Sequence, residues 1–438
     1  MTIGPVRRGI RGLSRVRGSA AGRRAGLMTF LAVMGPGIIT GFAGNDAGGV
    51  ATYTAVGAHH GYALLWLLLI STVGLGVIQE MCARMGAVTG KGLSDLIRER
   101  FGVRWTAVAM LALLVANGIN VAAEYAGIAV SLSLLGVPTY IAVPVAGVAI
   151  WALVVFFPYR VVERTLFVLL LAFVAYPITA VLAGPDLDQA ARDVLDGGGL
   201  VVGGRVEVAA LLAALALVGT TITPYMQFYI QASIVDKGID RAKYHFTRLD
   251  VLLGALLTGL NGLFIIVVAA AVLNPAGIEV ATAEDAARAL GPLAGAQAEL
   301  LFGVGLFGAS LLAATVMPLS TSYAVCEAFG WESGISKDFG DAPVFMGLFT
   351  FLLVAGGALV LVFPAGLLIE LILVSQAVNG LLLPVILVFI LRLAGDRTLM
   401  GRDANGPLSA VTGWGIAALA SALSVAYVAA LALGLGPS

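Results

Sequence analysis

Asp46 stands in an otherwise apolar run, between Asn45 and the pair Gly48-Gly49, in a stretch that also holds Gly35, Pro36, Gly37, Gly41 and Gly44. Far along the chain, Gly219, Thr220, Thr221, Thr223 and Pro224 interrupt a second apolar run, just before Tyr225, Met226 and Gln227. A carboxylate among apolar residues attracts a cation, and hydroxyl and carbonyl oxygens suit a hard one. Such groups are expensive in hydrocarbon unless they meet a partner or a water-filled cavity. Unwound backbone at membrane depth is tolerated where it lines such a cavity. Two interrupted helices at matching places in two halves of a membrane chain point to a transporter's binding site.

The elements that position these residues follow from composition. Of 438 residues, 60% are hydrophobic and 11% charged, against about 25% charged in ordinary soluble domains. Each spanning helix needs roughly 20 apolar residues. Eleven such stretches are predicted near 26–58 (broken), 61–86, 105–134, 139–157, 164–183, 206–235 (broken), 249–273, 295–327, 343–363, 366–392 and 410–434. With the N-terminus cytoplasmic and the C-terminus outside, the inside segments hold all of the 25 basic residues except Arg192, Arg205 and Arg288. The positive-inside rule asks for this asymmetry. Residues 1–25 then form a basic cytoplasmic segment, and no stretch is left for a separate soluble domain. Net charge is zero, and the arginines of the first segment read as a topology anchor rather than a nucleic-acid arm. Cys82 and Cys326 both lie in apolar segments, which excludes a disulfide framework and a metal–thiolate spacing.

Spans one to five (26–183) and six to ten (206–392) make two halves, each opening on a broken helix, with an eleventh at 410–434. Five spans per half is an odd number, so the halves are inverted, with substrate near the bilayer midplane. The outside loop 184–206 carries Asp186, Asp188, Asp193 and Asp196, and the next carries Glu279, Glu284 and Asp285. These are solvated loop acids or attract cations electrostatically. His59 and His60 fall in the first outside turn, either solvated or at an entrance.

Leu64–Leu69 and Ala83–Lys91, residues 160–186, Val218–Ser233, and Leu373–Gln376 with Leu383-Pro384 and Asp396–Gly401 resemble, in that order, the second, fifth, sixth and tenth helices (and the segment after the tenth) of the Nramp divalent-metal transporters. The resemblance runs from about Leu27 to Gly401 in the same helix order. It implies an all-α membrane protein with the LeuT-type inverted repeat (5+5) plus one helix, helices one and six broken. The family's first broken helix carries Asp-Pro-Gly-Asn and its sixth Met-Pro-His. This chain has Asp46-Ala47-Gly48-Gly49 and Thr223-Pro224-Tyr225. By resemblance Asp46 is the anionic metal ligand, the Ala43 and Thr220 carbonyls lie at the unwound points, and Gln376 reaches in from helix ten. The metal set is then Asp46, Thr220, Thr223 and Gln376, with Ala43, Gly49 and Tyr225 also lining the substrate.

Replacing a thioether by Thr223 removes a preference for soft transition metals. Gly49 in place of an asparagine leaves room for a partly hydrated ion, and magnesium gives up its waters reluctantly. The expected cargo is Mg²⁺ or Mn²⁺. Met226, three residues beyond Thr223, is the alternative source of a sulfur ligand. Tyr225, with an unperturbed pKa of roughly 10, is a poor proton relay, so proton coupling is expected to be weak or absent. Glu124 remains on the third helix, flanked by Asn117 and Asn120, either on a proton path or as a packing partner of a buried polar cluster. Other intramembrane or boundary acids are Glu80, Glu370 and Asp250; Asp250, beside Arg248, either matches an acid of the family's seventh helix or forms a surface ion pair.

The expected protein is therefore a secondary transporter in a prokaryotic-type inner or plasma membrane. It has no resident cofactor, no enzymatic activity and no obligate protein partner; its surroundings are the lipid bilayer and a small cation. The competing readings are a carrier of a small organic cation or metal–organic complex, with Asp46 as counter-ion, and a non-transporting membrane sensor.

Overall fold

Apolar segments in a medium without water must satisfy their backbone internally, which selects helices. The computed structural model describes residues 34–202, 205–277, 296–363 and 365–433 and is helical almost throughout. The first span is two short helices, α1 (Pro36–Ala43) and α2 (Ala47–His60), separated by Gly44, Asn45 and Asp46. Then follow α3 (Leu65–Thr89), the amphipathic α4 (Leu93–Phe101), α5 (Val103–Ser133) and α6 (Thr139–Phe156). The fifth span runs from α7 (Tyr159–Leu169) through a 3₁₀ turn into α8 (Ala175–Ala183). Beyond it come α9 (Leu187–Asp196) and a two-residue ribbon in which β1 (Val201–Val202) pairs antiparallel with β2 (Arg205–Val206). The second broken span is α10 (Val208–Thr221) and α11 (Pro224–Asp236). The remainder is α12 (Tyr244–Val272), α13 (Ala296–Phe329), α14 (Pro343–Val362), α15 (Ala365–Gly395), the short α16 (Arg397–Met400) and α17 (Pro407–Ala432).

Among the described residues 10 helices are long and apolar enough to cross a membrane. The pair α1–α2 falls within the remaining expected span, whose residues 26–33 lie outside the described residues. So do the basic segment 1–25, the loop residues Glu279, Glu284, Asp285 and Arg288, and the side chain of Glu370.

Burial separates centre from rim. The apolar windows of α10–α11 and of α13 are each 72% buried, whereas that of α6 is 28% and that of α17 33%. Val145, Val148, Phe156, Val411 and Val425 accordingly face outward, toward hydrocarbon. Around the broken helices pack α3, α5, α12, α13 and α15. Close approach is bought with glycine: a Cβ on Gly41 of α1 would stand 2.8 Å from the Gly254 carbonyl of α12. A Cβ on Gly219 of α10 would stand 2.7 Å from the Gly380 nitrogen of α15. Both broken helices are thereby seated directly on a neighbour's backbone, as small residues allow in membranes.

Asp250 is not a surface partner of Arg248. It is fully buried in α12, and its Oδ2 accepts the Gly37 N–H at 2.7 Å, capping the N-terminus of α1. Arg248 instead approaches Glu80, which also pairs with Arg84 at 3.3 Å. Lys237, at the end of α11, donates to the Met34 carbonyl at 2.9 Å and to Glu163 of α7 at 2.6 Å.

Candidate functional site

In a continuous helix the Ala47 N–H would bond the Ala43 carbonyl. Here that bond is missing and each half has found another partner. Ala47 N–H donates to Glu124 Oε2 of α5 at 3.0 Å, and the Ala43 carbonyl accepts the Tyr225 hydroxyl of α11 at 2.6 Å. The break in the first span is thus held open by one residue from each of two other helices. Between these points Asp46 is the N-cap of α2, its Oδ1 accepting the Gly49 N–H at 2.6 Å. Asp46 Oδ2 has no partner, and the residue is 0% exposed. Two carboxylates, Asp46 and Glu124, therefore meet the positive end of one helix, where its dipole and free N–H groups favour negative charge.

The second break follows from Pro224. Thr220 is four residues before it, and proline has no N–H to give, so the Thr220 carbonyl has no helical donor. Ile222 and Thr223 leave the helix, and α11 restarts at Pro224, a favoured first position. The side-chain hydroxyls of Thr220 and Thr223 are buried and unpartnered.

The two breaks face each other. A Cβ on Gly49 would lie 2.9 Å from the Gly44 carbonyl, 3.0 Å from Thr220 Oγ1 and 3.2 Å from Asp46 Oδ1. The room expected at Gly49 is therefore taken up in this conformation by oxygens drawn in from both breaks. Gln376 of α15, 1% exposed, does reach this region: its amide nitrogen lies where a Cβ on Gly48 would be. That nitrogen is unpartnered, while Oε1 takes a long 3.4 Å bond from Asn379. A half-turn of the amide would present the oxygen instead. Met226 is also close, its sulfur 2.7 Å from a Cβ built on Gly44. Asn45, unassigned from sequence, donates to the Thr258 carbonyl at 3.1 Å and pins the break to α12.

Asp46, Gly49, Thr220, Tyr225 and Gln376 are thus brought to the two breaks, with Ala43 joined to them through Tyr225. Thr223 lies beside Tyr225. Glu124, read from sequence as an acid of open role, is a cap on α2; its other oxygen, Oε1, is unpartnered. Sequence offered no signal for that bond beyond an acid in a span. Among the described residues no three His, Cys, Asp or Glu side chains gather into a metal-holding group. A cation here would rest on Asp46 and neutral oxygens. His59 and His60 lie apart from this, lining a cavity of about 650 Å³ with Asp186, Asp193 and Glu207.

Comparison with known proteins agrees with this architecture. The chain is 28% identical to the divalent metal cation transporter MntH of Aeromonas hydrophila, over 92% of this chain and 96% of that one. A crystal structure of the Eremococcus coleocola manganese transporter superposes with a TM-score of 0.74 at 22% identity, covering 94% of this chain and 90% of that one. MhsT, solved in complex with L-phenylalanine, superposes with a TM-score of 0.57 at 13% identity, covering 92% of this chain and 97% of that one, a likeness of fold alone. The family profile described as Nramp, natural resistance-associated macrophage protein-like, matches residues 37–430, and the chain is a member of that family.

Proposed function

We propose that the chain carries a divalent metal cation across the membrane by alternating access, binding it between the two helix breaks through Asp46, Thr220, Thr223 and Gln376. The observation that carries this reading is a fully buried carboxylate oxygen, Asp46 Oδ2, left unpartnered beside a second break whose oxygens are also unpaired. A buried charge without a partner is costly, and a cation supplies one. The names of the relatives support a divalent metal and favour Mn²⁺. The ligand chemistry, one carboxylate and neutral oxygens, is compatible with Mn²⁺ and with the harder Mg²⁺. The basic loops support a cytoplasmic N-terminus. Weak or absent proton coupling is consistent with Tyr225, whose hydroxyl is engaged by a backbone carbonyl rather than by a titratable partner.

The test is calorimetric titration of the purified protein with Mn²⁺ and then Mg²⁺, beside Asp46→Ala, with uptake into proteoliposomes measured in parallel. Binding and uptake lost in Asp46→Ala are the expected outcome. Undiminished uptake by that variant would sink the assignment.

A further inference from the structure

Tyr53 is fully buried one turn beyond Gly49, on the same face of α2. Its ring lies against α12 at a position without a side chain: a Cβ on Gly262 would stand 3.1 Å from two of the ring carbons. Its hydroxyl lies 3.2 Å from the hydroxyl of Thr221, the last residue of α10. Thr221 already gives its proton to the Leu217 carbonyl at 2.7 Å, so Tyr53 is the donor and Thr221 Oγ1 the acceptor. The bond joins the half-helix that follows the first break to the half-helix that precedes the second.

The two half-helices therefore meet at two levels, about 6 Å apart along α2. At the lower level Gly49 faces Thr220 Oγ1, and at the upper Tyr53 holds Thr221. Asp46 and Thr220 would approach a bound ion from α2 and α10 respectively, so the ion's size dictates how far apart these helices stand. Ca²⁺ lies about 2.3–2.6 Å from its oxygens and Mg²⁺ about 2.0–2.1 Å, so facing ligands must part by roughly 0.5–1 Å more for Ca²⁺. Carboxylate and hydroxyl oxygens by themselves suit Ca²⁺ as well as the smaller ions. Discrimination against it then has to come from spacing. Apolar packing sets no fixed length, whereas a hydrogen bond does. At 3.2 Å the Tyr53–Thr221 bond is already long, and a further 0.5 Å or so would break it.

We propose that Tyr53 is a positioning residue that sets selectivity by ion size. Its bond to Thr221 holds α2 and α10 at the spacing of a small divalent cation, and it must break before Ca²⁺ is accommodated. Tyr53 touches no ion and acts through Asp46 and Thr220. This rests on the divalent-cation reading above and deepens it.

The test is Tyr53→Phe, which keeps the ring and removes the bond. Mn²⁺ affinity is read by calorimetric titration, and Ca²⁺ affinity by displacement of bound Mn²⁺. The variant is expected to leave Mn²⁺ affinity at the parental value and to bind Ca²⁺ roughly twofold to tenfold more tightly, the range that one hydrogen bond carries. Thr221→Val is expected to give the same gain and the double variant no more than either alone, because all three remove one interaction. Thr221→Ser keeps the acceptor and is expected to keep the parental ratio. A bond that served stability alone would weaken both ions together. An unmoved Ca²⁺/Mn²⁺ ratio in Tyr53→Phe, or additive gains in the double variant, would overturn the proposal. A parent that binds no Mn²⁺ would instead overturn the divalent-cation reading on which it stands.

Discussion

Replacing Tyr225 by phenylalanine removes one hydroxyl and tests whether the Ala43 carbonyl is a ligand. In this structure that carbonyl accepts the Tyr225 hydroxyl at 2.6 Å. A cation that takes the carbonyl must displace the hydroxyl first, so the bond belongs to the ion-free state and not to the bound one. Its net worth is roughly 0.5–1.5 kcal/mol. Removing it raises the ion-free state by that amount and leaves the bound state nearly untouched, so Mn²⁺ binding should tighten by roughly twofold to tenfold. The same change should lower the melting temperature of the ion-free protein by no more than about 2–4 °C, given the size of the chain. Titration calorimetry and thermal shift on one preparation give both numbers. A lower melting temperature with unchanged or weaker Mn²⁺ affinity would show that the carbonyl stays out of the ion's coordination, and the displacement argument would fall.

Three further outcomes follow from the breaks. Glu124→Gln keeps an oxygen for the Ala47 N–H and should hold Mn²⁺ affinity within a few fold; Glu124→Ala strands that buried donor, a loss of roughly 1–3 kcal/mol, and should weaken binding about tenfold. Equal losses in the two variants would mean that the charge, not the hydrogen bond, matters. Gly49→Ala brings a methyl within 3.2 Å of three oxygens, overpacking that costs roughly 1–3 kcal/mol, seen as a lower melting temperature and weaker binding; parental behaviour in both assays would refute the packing described here. Pro224→Ala returns an N–H within helical reach of the Thr220 carbonyl, so α10 should extend and Mn²⁺ affinity should fall; unaltered affinity would remove that carbonyl from the argument.

Both breaks were legible in the chain because their causes are local, whereas the cap that Asp46 places on α2 came from the structure. Proline four residues after Thr220 withholds a donor whatever surrounds it. The 10 long apolar helices of the described residues were legible for a similar reason: length and apolarity act through the bilayer, which needs no tertiary contact. Gln376 was placed by family resemblance, and the structure carries its amide to Gly48.

What tertiary structure alone decided is which distant atoms complete the broken bonds. Ala43 meets Tyr225 across 182 residues, Ala47 meets Glu124 across 77, and Gly37 meets Asp250 across 213. Those pairings depend on the angle and height at which helices cross, and a periodic apolar pattern specifies neither. For that reason Asp250 read equally well as a surface ion pair, and Gly49 as open space. Sequence determined where the helices must break and what charge sits there; only the packing of α5, α11 and α12 decided how the freed backbone groups are satisfied, because a buried donor takes whichever acceptor the neighbouring helix brings within about 3 Å.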